Sequence, residues 1–358
     1  MLYNCHIHTF KGDDIPREFL PLGLVRILAT RVGFRIIGRI LNYLNPFSSD
    51  DLFDRYVRFV KIGRMASQQK IFELCQKFYP KKSKFFILSM DMTYMGAGKV
   101  SRPYADQLKE LAELKATYPD FVLPFVHVDP RRPGIMELLK QCIEEWGFTG
   151  IKIYPSLGYF PYDDDLDPVY QYALDNNLPI IAHASPYNPV HYKGSKRKLK
   201  ELLKKAKTEI DLSSNKRKRL CSNFAHPDNY KLVFEKFPGL RICLAHFGSH
   251  YFWKKFLDEP EIVGNWFTII RERISEFPNL YADISFTLYN REFFPLLKVL
   301  MTDPLLKKRI LLGSDYYMVE TKSNERRFGL ELRALLGEED FKEISMDNPV
   351  AFLGKNET

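Results

Sequence analysis

Four of the eight histidines and one aspartate stand where they could share a metal ion. His6 and His8 lie one residue apart in Cys5-His6-Ile7-His8. His183 closes the run Pro-Ile-Ile-Ala-His, His246 closes Ile-Cys-Leu-Ala-His, and Asp315 closes Leu-Leu-Gly-Ser-Asp. Neutral imidazoles and a carboxylate are ligands for a divalent transition ion, and such an ion activates water or polarises a carbonyl. A single buried histidine is ordinarily a core residue held by hydrogen bonds. Metal-type ligands at four equivalent places are a stronger signal than any one of them.

Those places are equivalent because each ends a short apolar run bounded by turn residues. Eight such runs occur, at 3–8, 85–90, 121–128, 150–154, 179–183, 240–246, 280–285 and 309–315. Between them lie stretches with helical spacing of apolar residues, among them 104–117, 135–145, 169–175 and 230–236. Eightfold βα alternation predicts an α/β fold, a (β/α)8 TIM barrel whose active site lies at the C-terminal strand ends. An open doubly wound sheet would usually carry a glycine-rich phosphate turn after its first strand, and GxGxxG is absent. Strand period two puts His6 and His8 on the inward face, with Cys5 and Ile7 outward. Counting back by twos from His183, His246 and Asp315 places Ile181, Leu244 and Leu311 inside the barrel as well. Two connections exceed ordinary βα loops, at about 10–83 and 186–229. Both leave C-terminal strand ends and are expected over the mouth of one domain spanning 1–358.

With these runs in view, the chain resembles the amidohydrolase superfamily, in the amidohydrolase-related branch that includes carboxymuconate-semialdehyde and resorcylate decarboxylases. The resemblance rests on CHIH at 5–8, GIKIYP at 150–155, PIIAHAS at 179–185, FPGLRICLAHFGS at 237–249, NLYADIS at 279–285, ILLGSD at 310–315 and NPVAFLG at 348–354. It covers the barrel and not the two inserts. It implies that His6, His8, His183 and Asp315 bind one divalent metal, with His246 beside it as acid, base or electrostatic contact. Zinc leads among the candidates, and the same ligands accept manganese, iron or nickel. Asp315 would orient the activated water or shuttle its proton, while His246 would polarise a carbonyl or donate to the leaving group.

In some branches of the superfamily a lysine on the fourth strand is carboxylated and bridges two metals. Lys152 shares the inward face with Tyr154, so position permits this, but an ammonium pairing with Asp315 or with a substrate carboxylate is preferred. Many relatives carry histidine where this chain has Tyr154, so Tyr154 is expected to line the substrate pocket. Asp283 is expected as a substrate contact or, with Ser285, as a group that fixes a ligand imidazole. His127 and Asp91 read as local hydrogen-bond partners near the pocket. His191, His226 and His250 fall in loops.

The 45% hydrophobic and 27% charged composition excludes a disordered chain. Five scattered cysteines without a CxxC pair suggest reduced thiols, and a cytoplasmic protein with no membrane span is expected. The net charge of +9 is carried by 193–219, where twelve Lys/Arg face three acids. Nothing aromatic is interleaved there for base stacking, so the segment reads as a solvated, mobile helix and loop, not a nucleic-acid site. It could draw anionic substrates toward the mouth. The basic amphipathic segment 24–44 reads as a lid or an interface between copies in a homo-oligomer.

The expected activity is metal-dependent hydrolysis of an amide, lactone or ester of a small molecule. Non-oxidative decarboxylation of a small aromatic or unsaturated acid uses the same ligands and stands as the alternative. A non-catalytic binding protein acting through the basic insert is a third reading, against which the intact ligand set argues.

Overall fold

The computed structural model describes residues 1–19, 51–187 and 190–354, so segment 24–44 lies outside the described residues. Eight parallel strands pair in sequence order. They are β1 (Tyr3–Ile7), β2 (Lys84–Leu88), β3 (Val122–His127), β4 (Gly150–Ile153), β5 (Ile180–His183), β6 (Ile242–Ala245), β7 (Leu280–Asp283) and β8 (Ile310–Leu311). The chain following β8 returns to β1: Cys5 N–H donates to the Leu312 carbonyl (2.7 Å) and Asp315 N–H to that of His6 (2.8 Å). The result is the expected (β/α)8 barrel.

Helices α1 (Asp51–Gly63) and α2 (Gln68–Gln76) precede β2, and α3 (Tyr104–Thr117) follows it. In α3 the buried residues Tyr104, Gln107, Leu108, Leu111 and Leu114 recur at three and four, the stripe that made this helix legible. After β3 and β4 come α4 (Ile135–Lys140) and α5 (Asp167–Asp175). The long connection after β5 holds α6 (Lys196–Leu203), α7 (Arg217–Ser222) and α8 (Asn229–Lys236). Its lysine-rich α6 is docked rather than merely solvated, because Leu199 and Leu203 are buried. Lys193 N–H donates to the Met95 carbonyl, and its Nζ donates to that of Phe19, tying this insert to the first. The first insert in turn packs beside the chain after β8, where Arg55 donates to the Lys322 carbonyl (2.6 Å).

The barrel interior is a separate apolar cluster containing Phe86, Phe125, Ile181 and Leu311, with Phe352 reaching it from a helix at Asn348–Phe352. Two expected facings are corrected. Cys5 joins this interior cluster, and so do Cys243 and Ala245, whereas Leu244 packs outside among the helices. In β1 the register shifts between Asn4 and Ile7, so strict alternation fails before His6. After β6, His246 and Phe247 adopt left-handed φ values of 70° and 42°, which turns His246 toward the site directly after inward-facing Ala245.

Outside the barrel, Asn4 clamps β1 to the end of β8. Its Oδ1 accepts from His6 N–H (3.2 Å) and Ser314 N–H (3.1 Å), and its Nδ2 donates to Ser314 Oγ (2.8 Å) and Tyr79 Oη (2.7 Å). The Tyr79 hydroxyl donates onward to Glu325, which is 1% exposed. Burial pushes the Glu325 carboxyl up to about 7 from 4.5, and the neighbouring charges of Glu320 and Asp315 add to the rise. The folded chain therefore holds this proton more tightly than the unfolded chain does. Its contribution to stability is full below 4.5 and is lost as pH rises through about 7. Glu325→Gln keeps an acceptor for Tyr79 and should flatten that decline in melts recorded from pH ~5 to ~8. Parallel pH profiles for the two proteins would rule the linkage out.

Candidate metal centre

The site forms where β1, β5, β6, β7 and β8 end. His6 donates through Nδ1 to Asp283 Oδ2 (2.8 Å), with Ser285 Oγ 3.0 Å from the same nitrogen. His8 places Nδ1 2.9 Å from the Leu88 carbonyl, which can only accept. Both imidazoles thus carry their proton on Nδ1 when neutral, and both Nε2 atoms are bare lone pairs. Those two lone pairs face one oxygen: Asp315 Oδ1 lies 3.7 Å from His6 Nε2 and 3.3 Å from His8 Nε2. That oxygen is buried and has no well-formed hydrogen bond. Among the described residues His6, His8 and Asp315 bring their ligand atoms within 4.8 Å of one another. Three electron-pair donors turned on one point, without a proton between them, suit a cation, so these residues fit a divalent metal.

His183 stands outside this tight group and is joined to it through His246. His246 Nδ1 lies 3.0 Å from the Ser285 carbonyl, so it carries the proton, and its Nε2 accepts from His183 Nδ1 at 3.2 Å. The hydrogen-bond chain leaves Nε2 as the lone-pair nitrogen of His183. Tyr154 stacks on the His183 ring at 3.9 Å between centroids and 12° between planes. The tyrosine is therefore a wall that fixes the imidazole plane, with 6% of its surface exposed.

Electrostatics favour neutral imidazoles. Burial lowers His6 to about 4, with Asp283 and Asp315 opposing the fall and Lys152 adding to it. Burial also lowers His246, and it takes His183 well below the usual histidine range with help from His246 and Lys152.

Asp283, expected as a substrate contact or as a group that fixes a ligand imidazole, is placed against His6 Nδ1. It is fully buried, and its oxygens take the His6 imidazole, the His246 N–H (3.0 Å) and the Ser285 N–H (3.0 Å). Its geometry is that of a group that orients His6, the second of those roles. In a second cluster of His6, His246 and Asp283 the side-chain atoms are already engaged, His6 Nδ1 with Asp283 and the His246 ring with the Ser285 carbonyl and His183. Lys152 is fully buried, and its Nζ lies 5.8 Å from the centre of the Tyr154 ring without a hydrogen-bond partner. Burial brings this ammonium down to about 8, opposed by Asp283 and Asp315. Asn4 and the carbonyl of Leu88 were not anticipated: a backbone acceptor leaves no side-chain signature, and Asn4 reads as one polar residue in an apolar strand.

Near the mouth, residues from the loops after β2, β3 and β5 enclose a groove of about 670 Å³ lined by Tyr94, Arg131, Tyr192, Arg197, Lys198, Glu201 and Leu202. Arg131 is matched there by Asp129 (2.5 Å), and Arg132 nearby by Asp91 (2.6 Å).

The fold recurs in solved structures at low identity. An uncharacterised TIM-barrel protein from Bordetella bronchiseptica superposes with a TM-score of 0.57 at 14% identity, covering 99% of each chain. A 5-carboxyvanillate decarboxylase from Novosphingobium aromaticivorans with bound manganese gives 0.57 at 14% identity, over 99% of this chain and 97% of that one. A 4-oxalomesaconate hydratase from Rhodopseudomonas palustris gives 0.50 at 16%, over 99% and 96%. In sequence, the profile of the amidohydrolase family matches residues 87–355, from β2 through the helix that reaches the barrel interior. The chain is an enzyme and belongs to the amidohydrolase family.

Proposed function

We propose that this chain is a metal-dependent hydrolase that directs water onto the carbonyl of a small amide, lactone or ester. The observation that carries the reading is the convergence of two imidazole lone pairs and one carboxylate oxygen that lacks a hydrogen bond. His6, His8 and Asp315 would hold one divalent ion, with His183 completing the set through Nε2; zinc, manganese, iron and nickel all suit these ligands. Such an ion supplies Lewis acidity, polarising a carbonyl and lowering the pKa of water toward ~7.

The remaining work falls to the chain itself. Asp315, the carboxylate of the set, accepts the proton of the attacking water at an oxygen and can return it to the leaving group. His246 orients His183 through its Nε2, and the Ser285 carbonyl holds His246 in turn. Asp283 fixes the His6 tautomer and makes that ring a better donor. Tyr154 walls the site and limits water entry from the β4 side.

Decarboxylation is the second reading, supported by Lys152: an unpaired buried ammonium beside the site suits a substrate that carries a carboxylate. The decarboxylase and hydratase that share the fold act on carboxylated compounds. The basic insert and the groove beside it would favour approach of anions.

Elemental analysis of protein purified without added metal or an affinity tag should find about one equivalent of divalent metal per chain. Asp315→Asn should lose or loosen it, whereas two equivalents would point to a carboxylated Lys152 bridging a pair. No metal, even after reconstitution with zinc or manganese, would refute the reading. Asp283→Ala, which leaves His6 Nδ1 only the Ser285 hydroxyl in place of a carboxylate, should weaken metal affinity by about 10- to 100-fold in a chelator competition. Screening esters, lactones and amides for acid release, and carboxylic acids for carbon dioxide release, separates hydrolase from decarboxylase.

A further inference from the structure

Two buried nitrogens on the β3–β4 side of the barrel, His127 Nε2 and Lys152 Nζ, have no hydrogen-bond partner among the described residues. Both side chains face the interior. Val126 and Val128 pack outside while Phe125 packs inside, which puts His127 on the inner face two residues beyond Phe125. Ile151 and Ile153 likewise pack outside, leaving Lys152 inward. The two residues are register partners on adjacent strands, and the lysine charge acts on the histidine ring.

The proton on His127 can be assigned. Its Nδ1 accepts the Asp91 N–H at 2.8 Å, so the neutral ring carries its hydrogen on Nε2. Burial lowers this histidine to about 4, which keeps the ring neutral. Neighbouring elements thus turn two donors inward, a neutral N–H and an ammonium, and offer neither an acceptor. Unsatisfied buried donors are costly, and an unmatched buried charge more so.

Asp283 and Asp315 attract that charge through space, but neither accepts a hydrogen bond from Nζ. Arg131 and Arg132 already hold Asp129 and Asp91 in ion pairs. Asp283 is engaged with His6, and Asp315 faces His6 and His8. A divalent ion at the metal centre would add positive charge. What is missing is an anion with acceptor oxygens.

We propose that Lys152 Nζ and His127 Nε2–H form a carboxylate subsite, which anchors a carboxylic-acid group of the substrate or product beside the metal centre. The inference rests on the catalytic reading above and narrows its substrates to small carboxylates. The subsite discriminates by hydrogen-bond polarity as well as charge: a carboxylate accepts from both groups, whereas the –NH2 of an isosteric amide would turn further donors toward them.

The test uses formate, acetate and benzoate against acetamide and benzamide, with chloride as the simple-anion control. Binding is followed by thermal shift and ligand-observed NMR on metal-loaded and metal-depleted protein. Carboxylates should bind the wild type in both forms and the amides should not. Lys152→Met and His127→Asn should each weaken carboxylate binding about tenfold or more. The asparagine oxygen keeps an acceptor for the Asp91 N–H, while the shorter side chain withdraws its donor from the Nε2 position. Equal carboxylate affinity in wild type and both variants overturns the proposal, as does equal binding of amides, or chloride competing as well as acetate does. A carbamate signal on Lys152 after 13C-bicarbonate labelling also overturns it, because the acceptor would then belong to the protein. Metal content measured alongside keeps the two readings distinct. A wild type that takes up no metal even on reconstitution yet shows the selectivity refutes the catalytic reading alone, and a metal-binding wild type without the selectivity refutes the subsite alone.

Discussion

The site depends on mutual repulsion held in check. Two imidazole lone pairs and a carboxylate oxygen would separate if their side chains were loose, because electron pairs turned on one point repel. They are kept together from behind. The Leu88 carbonyl and Asp283 each hold one ring by the nitrogen that points away from the centre, and the closure of β8 against β1 sets Asp315 opposite. Each tether fixes a tautomer and an orientation at once, so the electron pairs are arranged before a cation arrives.

Regular strands alone would not produce this arrangement. The shift in β1 and the left-handed conformations at His246 and Asp315 (φ 63°) are departures from strand geometry at the site. Non-glycine residues in that conformation are held there by their surroundings. Here the surroundings include Asp283 accepting the His246 N–H and the His6 carbonyl accepting the Asp315 N–H. Gly313 answers the same crowding, because a Cβ there would lie 2.8 Å from the His6 Cβ and 3.0 Å from the Ser285 Cβ. The rigid barrel below supplies the stability against which these bends are set.

This division explains what could be read from residues alone. The eight strands, helix α3 and the candidate metal residues all follow from periodicity and from chemistry-bearing residues at apolar run ends. The facing of Leu244 and Cys5 was misread because alternation presumes an unbroken strand, and the breaks fall at the site. The two roles expected of Asp283 were not separable for another reason, since a carboxylate at a strand end reads alike whether it meets a ligand or a neighbouring imidazole. Asn4 and Glu325 were invisible because their importance comes from partners far away in the chain. The buried leucines of α6 were obscured by the lysines around them.

Asn4 and Ser314, which lock the two edges of the barrel together, are 310 positions apart. His6 and Asp315 span nearly the same interval. Every intermediate length of the growing polypeptide therefore exposes two histidines without their carboxylate, and a curved sheet without its last neighbour. The convergence of these ligand atoms does not yet exist at the ribosome as the first strand emerges. It becomes a property of the finished ring, and the long-range closure that creates it belongs to the slow class of folding events.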